Sequence, residues 1–228
     1  MPNVFRPSSL CNVLLCGLAG LLALSTVPSA HAQVTMLDRQ LSHIDIGVSG
    51  VGEFTNTVTG TNYLDVPVTQ KPSNTLGALV TVRYTKAPYL GFEFNYGYAR
   101  YTQNFTTVIQ GITTSPYIVG GAQTNATEYT LGYVAHTPSL FGIKTFVSAG
   151  LGSTAFRATP GGGQGLPTQA RATYYYDGGF EDSITSHFGI RAQFRQAFFL
   201  APDFGQNYLT IKQRQITTEP GVGFYIHF

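Results

Sequence analysis

Tryptophan is absent from this 228-residue sequence, and cysteine occurs only as Cys11 and Cys16. Both cysteines fall in an N-terminal stretch that reads as a leader. The remainder therefore has no disulfide framework and no thiolate metal site. Charge is also scarce: Asp, Glu, Lys and Arg make up 11% of the chain, against about 25% in an average soluble domain. The formal net charge is only +2, which gives no basic surface for nucleic acid. Beyond the leader no run of 18 apolar residues occurs, so no spanning helix is expected. Little charge without a helical span leaves a soluble all-β domain or a membrane β-barrel.

Residues 1–32 have the layout of a cleaved signal peptide. Arg6 supplies the positive end, Val13 to Val27 an apolar helix, and Pro28 its break. Ala30-His31-Ala32 then offers a small-x-small cleavage site before Gln33. Val13-Leu14-Leu15 before Cys16 lacks the small residues of a lipoprotein anchor. The expectation is an exported chain whose one folded domain spans 33–228.

What the sequence does have is glycine (26), phenylalanine (16), tyrosine (14) and a period of two. Its last ten residues show the pattern best. Pro220, Val222, Phe224, Ile226 and Phe228 share one parity; Glu219, Gly221, Gly223, Tyr225 and His227 share the other. This is a strand with one greasy face and one small or polar face. The same alternation predicts strands near 43–56, 75–85, 90–99, 128–136, 147–152, 169–181 and 187–200. In the last of these the run Ala197-Phe198-Phe199-Leu200 departs from alternation, which suggests a bulge. Polar segments rich in Gly, Pro and Asn, at about 59–74, 103–124, 158–168 and 201–215, read as loops. Short turns separate the other strands.

Eight strands joined by alternating long and short connections form the pattern of an outer-membrane barrel. The prediction is an all-β, eight-stranded antiparallel up-and-down transmembrane β-barrel, with both ends on the periplasmic side. A soluble ligand-binding barrel would put its greasy parity inside and its charges outside. Here Asp45, Glu53, Glu93, Glu128, Asp177, Glu181 and Glu219 all fall on the polar parity. So do Arg83, Arg171, Arg191 and Arg195. An eight-stranded interior has room only for side chains, so these groups are expected to interlock as a structural salt-bridge network. Seven acids against four arginines leave a surplus, expected to be protonated, hydrated at a rim, or near Lys144.

The leader, the alternating strands and the ending Gly221-Val-Gly-Phe-Tyr-Ile-His-Phe228 resemble the OmpA/OmpX-type outer-membrane barrels. Phe224, Ile226 and Phe228 match the C-terminal signal that such barrels present to the assembly machinery. More narrowly, Arg191-Ala-Gln-Phe-Arg195, Ala201-Pro-Asp-Phe204 and Glu219-Pro220 resemble a group of function-unassigned barrels from soil bacteria. That resemblance implies a Gram-negative-type outer membrane, lipid as solvent, and adhesion, lipid-modifying, defensive or purely structural roles. The chain departs from the larger OmpA proteins in having no peptidoglycan-binding domain, and Tyr and Phe must replace Trp in its girdles.

Motifs for chemistry are weak. Asp203-Phe204-Gly205 spells a kinase metal motif without its partners. Pro160 to Gly165 does not join a strand to a helix, so it is no phosphate cradle. A lipid hydrolase needs a Ser–His–acid set at the outer rim, whereas Ser186, His187 and His136 fall at the periplasmic end. His43 and His227 are too few for a metal. No cofactor, metal or catalytic residue is expected. The reading is a non-enzymatic monomer that anchors, or meets an extracellular ligand through its outer loops; the alternatives are a narrow solute channel and, behind it, a lipid-modifying barrel enzyme.

Overall fold

The computed structural model describes residues 36–63, 65–87, 89–107, 117–138 and 143–228. The leader and its cleavage site lie outside the described residues, as do 108–116 and 139–142 in two connections. A short helix, α1, spans Met36–Leu41. The rest is β-structure: β1 Ile44–Thr55, β2 Val58–Thr61, β3 Pro67–Pro72, β4 Thr75–Ala87, β5 Leu90–Thr107, β6 Tyr117–His136, β7 Ile143–Ala158, β8 Gln169–Ser183, β9 Phe188–Leu200 and β10 Arg214–His227. Among the described residues no helix is long and apolar enough to cross a membrane.

Eight of these strands close on themselves. The hydrogen-bonded order β5-β4-β1-β10-β9-β8-β7-β6 is sealed by β5 pairing with β6, so the barrel proper has no free edge. Its stagger can be followed from Asp45 through Arg83, Glu93, Gly132, Gly150, Tyr175, Ala197 and Thr217, arriving back on β1 at Thr55. A ten-residue displacement over eight strands implies a steep strand tilt, roughly 40°.

The alternation in the sequence becomes inside and outside. Leu76 is 82% exposed, Val222 69% and Leu151 63%, whereas Arg83 and Arg195 are each 1% exposed. A water-soluble barrel has the opposite gradient. Burying arginine while exposing a continuous belt of Leu, Val, Phe and Tyr is stable only if the belt meets hydrocarbon. Inside, small residues make room for large ones. A Cβ at Gly132 would lie 2.4 Å from the Tyr175 hydroxyl, and one at Gly150 2.6 Å from its ring. The two glycines thus form a niche for Tyr175.

The structure corrects three expectations at the loop end. Most of 103–124 is strand rather than loop: β5 continues to Thr107 and β6 begins at Tyr117, paired up to Thr107↔Tyr117. Polar Thr, Asn and Gln obscure the period there because the wall has risen past its apolar belt. Segment 59–74 contains the β2–β3 hairpin, and β3 pairs with β5 from Val68↔Thr107 to Pro72↔Gln103. Finally, β9 has no bulge. Its register with β10 is unbroken from Leu200 to Phe188, and its register with β8 from Phe199 to Gly189. Alternation holds at Ala197 and Phe199, which point inward and are buried. The sequence looks irregular there because the barrel interior is itself apolar at that level.

That apolar interior is the molecule's hydrophobic core. Tyr101, Phe105, Phe156 and Phe199 pack with Phe204, Leu209 and Ile211 from the 201–213 connection. The connection lies against β2, where a Cβ on Gly60 would come within 2.4 Å of the Ile211 carbonyl oxygen. Only glycine permits that approach, and the last loop is thereby fitted to the hairpin.

Candidate functional site

The lumen is the candidate site, and the inward residues fill it in three tiers. Nearest the end that carries the C-terminus, Arg83 donates from Nε to Glu93 Oε2 at 2.5 Å and from Nη1 to Glu181 Oε1. Arg191 Nε donates to the same Glu181 oxygen at 2.8 Å. Phe146 lies beneath both guanidinium groups, 4.0 Å from Arg83 Cζ and 5.5 Å from Arg191 Cζ. Two cations and two acids balance here, all with at most 7% side-chain exposure. Each carboxylate has charge-assisted partners, so neither is left as an uncompensated buried ion.

The middle tier is built on one arginine. Arg195 donates to Glu128 Oε1 and, at 2.6 Å, to Glu219 Oε2. Its Cζ stands 4.4 Å over the Tyr175 ring. Glu53 borders the same tier without an ion-pair partner among the described residues. It lines a void of about 20 Å³ with Glu128, Arg195 and Glu219, space for about one water. Asp177 instead accepts the Ser148 hydroxyl at 2.6 Å. The surplus of acids therefore gathers around Arg195 and not beside Lys144.

Two predicted members stand apart. Asp45 meets His227 Nδ1 at the rim. Arg171 reaches into the 201–213 connection, where its Nη2 lies 2.9 Å from Asp203 Oδ1. Asp203 is the hub of the upper tier. Gln169 Nε2 donates to its Oδ1 at 2.6 Å, the Gly205 N–H to Oδ1 at 3.0 Å, and Thr210 Oγ1 to Oδ2 at 3.0 Å. Burial pushes this carboxyl up, but the hydrogen bonds from Gln169, Gly205 and Thr210 and the Arg171 charge outweigh it and hold it below its ordinary value. Gln169 Oε1 accepts the N–H groups of Asp203 and Phe204, each at 2.9 Å. Phe204 takes a positive φ of 51°, uncommon for a bulky residue. It is tolerated because the ring is fully buried and its N–H is held. Asp203-Phe204-Gly205, meaningless as a metal motif, is the turn that drives an aromatic plug into the barrel mouth. Nothing in the sequence distinguished this inward-folded connection from an ordinary polar loop.

At the opposite end a vestibule of about 610 Å³ opens between the rim and Glu181, lined by Asp45, His136, Lys144 and His227 among others. His136 Nε2 lies 3.7 Å from Glu181 Oε2. His43 packs edge-on to Tyr84 at 6.0 Å. His187 Nδ1 lies 3.2 Å from the His227 carbonyl in an exposed turn, not against Ser186. Among the described residues no group of three or more His, Cys, Asp or Glu side chains is arranged to hold a metal.

No protein-family model matches the chain, and no curated protein sequence matches it. Solved structures do. OprG, an outer-membrane protein of Pseudomonas aeruginosa, superposes with a TM-score of 0.55 at 13% identity, covering 81% of this chain and 95% of that one. Neisserial surface protein A gives 0.49 at 12% identity, covering 82% and 97%. Ail of Yersinia pestis, solved with the heparin analogue sucrose octasulfate, gives 0.42 at 14%, covering 80% and 99%. At such identities the likeness speaks for architecture alone, and the OprG match carries it. Closure, greasy-out polarity and this likeness together give the chain the fold of an eight-stranded antiparallel outer-membrane β-barrel.

Proposed function

We propose that this protein is a non-enzymatic, monomeric barrel of a Gram-negative-type outer membrane, exported by its leader, with a lumen closed to ions. It serves as a structural element or through the surface at its loop end. The observation that carries this reading is the double closure of the interior. Two ion-paired tiers hold Arg83, Arg191 and Arg195 against four glutamates, and the Phe204 plug caps them. The void left between is about 20 Å³, too small for a conducting file of water. The vestibule ends against Glu181, so it is a blind pocket and not one mouth of a pore. Among the described residues no serine, histidine and acid converge at the loop end, and His43, His136, His187 and His227 all lie toward the other end.

The test is electrical. The mature protein is expected to fold in detergent, to change gel mobility on boiling, and to stay silent in planar bilayers. Phe204→Ala empties the plug and is expected to add intermittent current. Stable single-channel steps from the wild type would establish the channel reading instead. A mature chain that is monomeric and soluble without detergent would defeat the membrane reading altogether.

A further inference from the structure

The outer wall carries cations that the lumen does not use. Arg100 of β5 pairs in register with Asn125 of β6, and Asn125 with Arg157 of β7. Both arginines are exposed and on the outward parity. Adjacent strands lie about 4.8 Å apart, so the two stand roughly 10 Å from each other across one intervening strand. Arg100 is oriented by Gln123, whose Oε1 accepts from its Nη2 at 2.7 Å. Lys71 faces outward on β3, opposite Asn104 of β5. None of the three has an acidic partner among the described residues; the ion pairs of Arg83, Arg171, Arg191 and Arg195 all lie in the lumen or at the plug. Outside the lumen, the described acids at this end are Asp65, at the hairpin tip, and Asp203, already bound to Arg171. Residues 108–116 contain no acid.

What lies beneath these cations identifies their ligand. Toward the end that carries the C-terminus, the outward residues of these strands run in register as Tyr98, Thr127 and Ala155, then Tyr96, Tyr129 and Ser153, then the apolar Phe94, Leu131 and Leu151. Arg100 follows Tyr98 by two positions, a rise of about 7 Å along the strand. A cationic row above a band of tyrosine and small residues, and then a greasy wall, matches the order of a lipid, phosphate above interface above acyl chains. Guanidinium groups chelate phosphate with two parallel hydrogen bonds. A free anion would gain nothing from the apolar wall below.

We propose that Arg100 and Arg157, with Lys71 higher on the neighbouring strand, form a binding site for the phosphorylated headgroup of an outer-leaflet lipid. The site rests on the membrane-barrel reading, because only insertion brings a lipid to this wall. Its test is retention of diphosphoryl lipid A by the folded barrel in neutral maltoside micelles, compared with the dephosphorylated lipid. Removing a charge near a membrane surface weakens anionic-lipid binding roughly 5-fold, so R100Q/R157Q is expected to lose roughly 30-fold. The control K86Q/K144Q alters exposed lysines at the other end and is expected to bind as wild type does. Equal retention of both lipids, or an unchanged R100Q/R157Q, would overturn the site. Displacement by low-millimolar inorganic phosphate would overturn its assignment to lipid. Gel mobility of the same samples before lipid is added separates these failures from failure of the barrel to enter micelles at all.

Discussion

Replacing Arg195 with alanine should have the largest effect on stability of any single change in the lumen. Its side chain is 1% exposed and serves Glu128 and Glu219, whose side chains are 10% and 5% exposed. Truncation leaves both carboxylates buried without a cation, and breaking a buried pair in this way costs about 3–5 kcal/mol. It also removes the stacking partner of Tyr175 and enlarges the small void on which Glu53 borders, so water should enter. With a urea m-value of about 2 kcal/mol/M, a loss of about 4 kcal/mol lowers the unfolding midpoint by about 2 M. The chain lacks tryptophan, so the midpoint is best read from far-UV circular dichroism in micelles, with boiling-dependent mobility as the second probe. Arg195→Lys keeps the charge but cannot reach both acids with a planar fork, and should fall between. Adding Glu128→Gln and Glu219→Gln to Arg195→Ala should recover most of the loss, because the penalty lies in the stranded charges. A midpoint shift below about 0.5 M, or no recovery in the triple variant, would refute the argument that these tiers are interlocked ion pairs.

Two further outcomes follow from the same structure. Asp203 has a depressed carboxyl value when folded, so its contribution is fully present above the unfolded value of about 3.9 and is lost as pH falls from there through the lower folded value; proteolytic nicking of 201–213 should rise on acidification through that window, and Asp203→Asn should nick readily at neutral pH with little further change. Phe224, Ile226 and Phe228 point outward and are 44% to 48% exposed, and deleting Phe228 should reduce insertion in cells far more than it lowers the urea midpoint of the refolded barrel; normal insertion would remove its role as an assembly signal.

Alternation is a local property, which is why so much of the wall was legible in advance. Each strand rises with a period of two whatever its neighbours do, so Leu76, Val82 and Phe94 could be assigned outward and Arg83, Glu93 and Glu181 inward from sequence alone. The inverted polarity followed too, because four arginines share a face with glycine and serine. Pairing is not local. Arg195 meets Glu128 across 67 positions and Glu219 across 24, contacts that exist only once the ten-residue stagger sets each strand's height. The same stagger places Asp45 at a rim and Arg171 beside the plug, although both share the parity of the network. Composition misled where the wall rises beyond its apolar belt: polar strands at 103–107 and 117–124 look like loop when period is judged by hydrophobicity. It misled again at Phe199, whose inward aromatic side chain mimics a lost period until Phe204, Leu209 and Ile211 are seen to fill the barrel mouth from the other side. The sequence determined which face each residue takes, since that depends on neighbours two positions away. The tertiary structure alone decided which charges meet and what seals the lumen, since both depend on closure of the sheet.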